Sequence, residues 1–277
     1  MKRPAADSAS SAALFLAPET PYPVEGGGAL RSASLLEYLA GRYAVDVLVF
    51  RQPGAADPRG HFPAGLARRL SVIDLPRHRR HPPARAWRTA LRLARGIPPL
   101  VDRFSGFGGA VAAFVAGRGY RVAVVEHSWC APYHREVAPV AASTVLDLHN
   151  IESVLHERCS RAEGSAQAAA HRVFARASLA FERRWFPRYD RLLAASEEDA
   201  CRVRRIAPGS RVAVYPNSLP LVAAPARREE HVVAFSGNLG YHPNLSAVRF
   251  FAREIWPLLR ARHPGLQIGR ASCRARV

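Results

Sequence analysis

Lysine is almost absent from this 277-residue chain: Lys2 is the only one, and every other residue of the basic excess is arginine. The formal net charge is +18. A dedicated nucleic-acid binder mixes lysine with arginine and interleaves aromatic residues for stacking. Here the arginines are scattered along helical stretches, so no nucleic-acid partner is expected. An anionic membrane surface or a phosphate-bearing substrate accounts for the charge equally well. Cysteine is scarce too. Cys130, Cys159, Cys201 and Cys273 form no CxxC pair and have no histidine at metal-ligand spacing. That leaves no zinc motif and no disulfide framework, as in the reduced thiols of a cytosolic protein. Long apolar runs are missing as well. The stretch 12–17 is too short to span a bilayer, and Glu19 and prolines follow it at once. The charged start is followed by Asp7 and serines rather than by the apolar core of a signal peptide. The expected location is the cytoplasm, with peripheral contact at the inner membrane face left open.

What is present is a globular pattern. Hydrophobic residues make up 48% of the chain, which excludes general disorder. Residues 1–11 read as a flexible leader. Short apolar runs over 12–16, 46–50, 121–126, 144–148, 191–195 and 211–215 read as buried strands, and helical spacing fills the intervals. This alternation predicts an α/β fold with a Rossmann-like parallel sheet over 12–217. The stretch 51–100, rich in proline and arginine, reads as irregular apart from a basic helix over 84–95. The basic run 77–80 is a solvated loop or a contact with an anionic lipid face. Residues 218–230 read as an interdomain linker. A second strand, a glycine turn and a helix follow in VVAFSGNLGYHPNLSAVRFFAREIWPLL, residues 232–259.

Polar residues cluster just past the strand ends. They are the glycines Gly26, Gly27 and Gly28, then His127 beside Glu126, His149 and Asn150, Ser196, and Asn217. In open α/β sheets that edge is where ligands bind. Gly26, Gly27 and Gly28 let backbone approach a phosphate, and Arg31 lies one turn further on, as a cation for it or a solvated charge. Glu126 either orients His127 or faces away. In the later segment, Ser236, Gly237 and Asn238 form a turn before a helix, where free N–H groups and the helix dipole suit an anion.

The ordered set PYPVEGGGALRS, VVEHSWCAPY, LDLHNIES, AASEEDA, VAVYPNS and FSGNLGYHPNLSAVRFF resembles a GT-B glycosyltransferase of the family 4 type over about residues 12 to 266. The resemblance implies two Rossmann-like domains facing across a cleft. It implies a hexosyltransferase that moves a sugar from a nucleotide-diphosphate-sugar donor to a glycan or lipid-linked acceptor in cell-envelope or exopolysaccharide synthesis. Retention, no metal and no cofactor beyond the donor go with it. His127 would then lie near the reacting sugar as the catalytic residue. Gly26, Gly27, Gly28, Asn217, Ser236, Gly237 and Asn238 would lie on the donor side, and His149 and Asn150 on the acceptor side. The family often has arginine and then lysine in the later turn, where this chain has Asn238, Tyr241, His242 and Asn244.

Residues 231–266 therefore read as the truncated start of a donor-binding domain. Residues 267–277 read as a non-native tail: IGRASCRARV has no core periodicity and resembles the translation of a sequencing-library adapter. A chain cut there is expected to be inactive. Two other functions compete: a non-catalytic α/β binding or regulatory protein, and an arginine-rich nucleic-acid binder.

Overall fold

The structure, a computed structural model, describes residues 11–77, 81–162, 165–218, 232–237, 239 and 242–271. The expected leader up to residue 10, most of the basic run 77–80, nearly all of the expected linker, and Asn238 lie outside the described residues. The chain divides at residue 219 into two compact units.

In the first unit the elements are β1 (Ala12–Ala17), α1 (Gly27–Ala40), β2 (Ala44–Arg51), β3 (Arg69–Asp74), α2 (Pro82–Arg95), α3 (Pro99–Arg103), α4 (Gly108–Val115) and β4 (Val122–Glu126). A 3-10 turn (Ser128–Tyr133), α5 (His134–Val137), β5 (Thr144–Leu148), α6 (Glu152–Ala162), α7 (Ser165–Trp185), β6 (Arg191–Ala194), α8 (Glu197–Ile206) and β7 (Val212–Val214) complete it. The seven strands are all parallel, in the order β3-β2-β1-β4-β5-β6-β7. The sheet is covered on both faces, which is why its central strands read as unbroken apolar runs. Leu14, Leu16, Leu48, Phe50, Val125, Leu146 and Leu192 pack one face under α4, the 3-10 turn, α7 and α8. Phe15, Val47, Val49 and Val124 pack the other against Leu35, Leu36 and Leu39 of α1.

The α/β fold with a Rossmann-like parallel sheet expected from the sequence is the observed one. One local expectation changes. Residues 51–100 are not irregular: β3 pairs with β2 from Arg69 to Asp74. The three glycines open α1: Gly26 is its N-cap and Gly27 and Gly28 are in its first turn. After Glu152 come two helices, α6 and α7.

Ser196, one of the polar residues past the strand ends, caps α8, its Oγ accepting from the Asp199 N–H at 3.1 Å. Ser196→Ala should cost about 1 kcal/mol, measured by urea unfolding; an unchanged midpoint would show the cap to be idle.

In the second unit, β8 (Val232–Ser236) is followed by α9 (His242–Phe250), a π-helical turn (Phe251–Ile255), α10 (Trp256–Arg262) and β9 (Gln267–Ala271). β9 pairs in parallel with β8. The sequence reading has no fold element beyond Gln267, and this is corrected: the pairing is made by backbone groups, which need no apolar periodicity, and the helices between supply the long crossover that parallel strands require.

Candidate functional site

β1 and β4 are neighbours, yet the chain leaves β1 toward β2 and β4 toward β5, on opposite sides. Between their C-terminal ends lies the sheet's switch point, where such sheets open a crevice. α1 begins there. Gly26 has φ 95°, a conformation that favours glycine, and no side chain caps the helix. The first-turn N–H groups of a 14-residue helix are thus unmatched by any side chain, and its dipole points its positive end outward.

One turn in, Arg31 is only 2% exposed. Its guanidinium grips both oxygens of Asp147, at 2.8 and 2.6 Å. It also donates to the Tyr215 carbonyl and, at 3.2 Å, to Asn217 Oδ1, and it lies over the Tyr215 ring. Ser32 donates to Glu126, and Ser34 shares a hydrogen bond of 2.8 Å with the Tyr215 hydroxyl. Three α1 residues therefore bind the ends of β4, β5 and β7. Arg31 is neither a solvated charge nor a free cation.

His149, just past β5, has Nε2 3.3 Å from Asp147 Oδ2 and 3.7 Å from Glu126 Oε1, ion-pair distances without hydrogen-bond geometry. Its Nδ1 is 3.8 Å from where a Cβ on Gly28 would stand. Burial opposes its protonation, but Asp147 and Glu126 outweigh burial and push its pKa up to about 9, so it is a cation at neutral pH. Burial would raise the Asp147 pKa, but His149 and Arg31 hold it below the usual range. Burial raises that of Glu126, Asp147 adds to this, and His149 and Ser32 offset part of it.

His127 has φ 59°, rare for a residue with a side chain and a place where strain is held by surrounding structure. Its N–H donates to the Asp147 carbonyl at 2.8 Å. Its ring is sandwiched between His149 at 3.7 Å and Trp129 at 4.2 Å. Burial, then the neighbouring His149 and Arg31 charges, hold its pKa well below 6.5, so the imidazole is neutral. It can donate or accept a hydrogen bond but is a weak proton acceptor at pH 7. Glu126 does not orient it; that carboxylate faces Ser32 and His149.

Glu126, Asp147 and His149 offer one ligand atom each, all within 4.8 Å of one another. A metal there would have to displace the Arg31 fork from Asp147. A second buried carboxylate, Asp46, lies near the opposite edge, held by Arg68 and by the Tyr120 hydroxyl at 2.9 Å. It pins the sheet rather than forming a site.

Of the residues singled out in the sequence, Gly28, His127, His149 and Asn217 converge on this network. Gly26 and Gly27 are exposed at the α1 start, and Asn150 is exposed just past His149. Asn217 acts through Arg31. Ser236 and Gly237 belong to the second unit, where a Cβ on Gly237 would meet Asn244 Nδ2 at 3.0 Å and Phe235 Cε1 at 3.1 Å, so the turn there is closely packed. Ser32 and Asp147 went unnoticed in the sequence.

No family model matches this sequence, and no curated protein does. Among solved structures, sucrose-phosphate synthase from Thermosynechococcus elongatus is similar with a TM-score of 0.50 and 16% identity, over 74% of this chain and 47% of that one. Phytolacca americana UGT2 complexed with UDP-2fluoro-glucose and pterostilbene has a TM-score of 0.48 and 10% identity, over 97% and 73%. The structure described as OtsA in its apo form has 0.47 and 13%, over 93% and 64%. The present chain thus spans about half the length of the synthase, and at these identities what the two have in common is the fold.

Proposed function

We propose that this chain belongs to a glycosyltransferase of the family 4 type, one that moves a hexose from a nucleotide-diphosphate-sugar to a glycan or lipid-linked acceptor, with retention and without a metal. The observation that carries the proposal is the uncapped α1 N-terminus at the switch point, opened by Gly26, Gly27 and Gly28 above the charged His149. Backbone N–H groups, helix dipole and imidazolium together favour the charge that develops on a departing diphosphate. The neutral His127 ring would meet a sugar hydroxyl as a hydrogen-bond partner rather than as a base. The turn at Ser236 and Gly237 is a second place where backbone N–H groups can meet phosphate. No described helix is long and apolar enough to cross a membrane. The basic helix α2, with Trp87 68% exposed, supports peripheral contact with an anionic membrane face, where exopolysaccharide acceptors would lie.

Gly27→Asp tests the donor site. A Cβ on Gly27 meets nothing within 4 Å, and an acidic residue in a helix's first turn favours folding. Thermal stability should hold or rise, while UDP affinity by calorimetry should fall at least about tenfold, because the new carboxylate repels the diphosphate. Absence of UDP binding to the unaltered chain, or equal affinity in the variant, would sink the proposal.

A further inference from the structure

A cavity of about 110 Å³ is lined by Trp129, on whose ring His127 stacks, and is bounded by α3, α6, α7 and the 3-10 turn. Pro98, Leu100, Leu155 and Phe181 give it apolar walls. Leu100 on its rim is 39% exposed, so the space has a way out to solvent. Two of its polar lining atoms make no hydrogen bond: Trp129 Nε1 and Ser178 Oγ, the latter on a residue only 1% exposed. Buried polar atoms are seldom left without a partner, and each exception calls for an occupant or a role. The remaining polar lining is occupied or weakly charged. Glu182 accepts from the Ser153 N–H at 3.0 Å and from its hydroxyl. His156 shares a ring-nitrogen contact of 2.9 Å with His171, and burial pushes its pKa down to about 4. Burial pushes Glu152 up to about 7 and Glu182 adds to this, while the Trp129 indole, close to the Glu152 carboxyl group but outside hydrogen-bond geometry, offsets part.

We propose that this cavity binds a compact, uncharged ring or short branched chain carrying a hydroxyl group, whose oxygen accepts from Ser178 and Trp129 while its proton faces Glu152. An apolar cavity of about 150 Å³ takes up a benzene ring; the present one is smaller and opens beside Leu100, so it suits one small group of a ligand whose remainder lies in the mouth. The lining holds no cation to receive an anion. Two donors beside a carboxyl group match a hydroxyl, which both accepts and donates. Resting on the transferase reading, the cavity would hold the apolar end of an acceptor, with His127 stacked on the Trp129 ring that lines it.

The test uses the full chain labelled with nitrogen-15 at tryptophan, the Trp129 indole signal being identified with Trp129→Phe. Benzyl alcohol should shift that signal saturably, and toluene should bind more weakly. Ser178→Ala should weaken benzyl alcohol by about tenfold, the worth of one buried hydrogen bond, and leave toluene unchanged. Leu155→Trp, which fills the cavity, should abolish both. No saturable shift, as for a cavity holding only water, would overturn the proposal. So would a shift indifferent to both substitutions, or tighter binding of benzylamine than of benzyl alcohol. UDP binding is read on a different variant, so either proposal can fail while the other stands.

Discussion

Replacing Asp147 with alanine should destabilise the first unit by about 3–5 kcal/mol, the usual cost of removing one partner from a buried ion pair. The Arg31 guanidinium would stay buried without its carboxylate, and His149 would lose the nearer of its two counter-charges. Domains of this kind have about 5–15 kcal/mol of stability in all, so the loss should be plain in urea unfolding of the purified chain. Asp147→Asn keeps the shape and removes the charge; it should recover only a small part of the loss. If Asp147→Ala cost less than about 1 kcal/mol, the Arg31 network would not be what fixes α1 to the sheet. Arg31→Met should be milder, because it removes the cation that most needs the pair and leaves Asp147 beside His149.

Stability should also fall as the pH rises above neutrality. His149 has its folded pKa raised from 6.5 to about 9. A group raised in this way contributes fully below its unfolded pKa, and the contribution is lost as the pH passes through the folded value. The gap corresponds to roughly 3 kcal/mol, of which about 1.5 kcal/mol should vanish between pH 7.5 and 9. Glu152, raised from 4.5 to about 7, acts in the same direction but has largely completed its loss by pH 7.5. Asp147, held low, acts only on the acid side, where its contribution is lost as pH falls. His127, also held low, contributes above 6.5 and loses that contribution in acid. Burial also holds the Cys130 thiol well above its ordinary value, which lowers stability in the same range. The drop in unfolding free energy from pH 7.5 to 9 should therefore be about 1.5 kcal/mol larger in the parent chain than in His149→Asn. A flat profile for the parent would show that His149 is not charged in the folded state.

The fold could be read from the sequence wherever strands are buried on both faces. Val122–Glu126 and Thr144–Leu148 are apolar runs because helices or loops cover both sides of the sheet. β3 was missed for the converse reason. Every residue from Arg69 to Asp74 is partly or fully exposed, and the inward alternation is only Leu70 and Val72, too short to stand out among the neighbouring arginines and prolines. The start of α1 is not legible because adjacent glycines look like a loop; nothing in GGGALRS announces a helix that begins without a cap. Within the site, the strand-end histidines stood out because polar residues interrupt the apolar runs there. Asp147 carried a signal that went unused, since an acid inside a buried strand must have a partner. That partner could not be named, because Arg31 is 116 positions away. Likewise, which histidine carries the charge depends on where Asp147 and Glu126 stand in space: His149 lies between them, whereas His127 is stacked over it.

The three α1 residues Arg31, Ser32 and Ser34 each reach a different strand end. Such a helix start has little freedom to rock or shift in register, so its amide groups keep one direction whether or not an anion is present. Most of the entropy needed to aim them is lost when the sheet forms rather than when a ligand arrives. A ligand meeting this edge would find something closer to a rigid receptor than to a loop that closes on its guest, and the flexible part of the event would be left to the ligand.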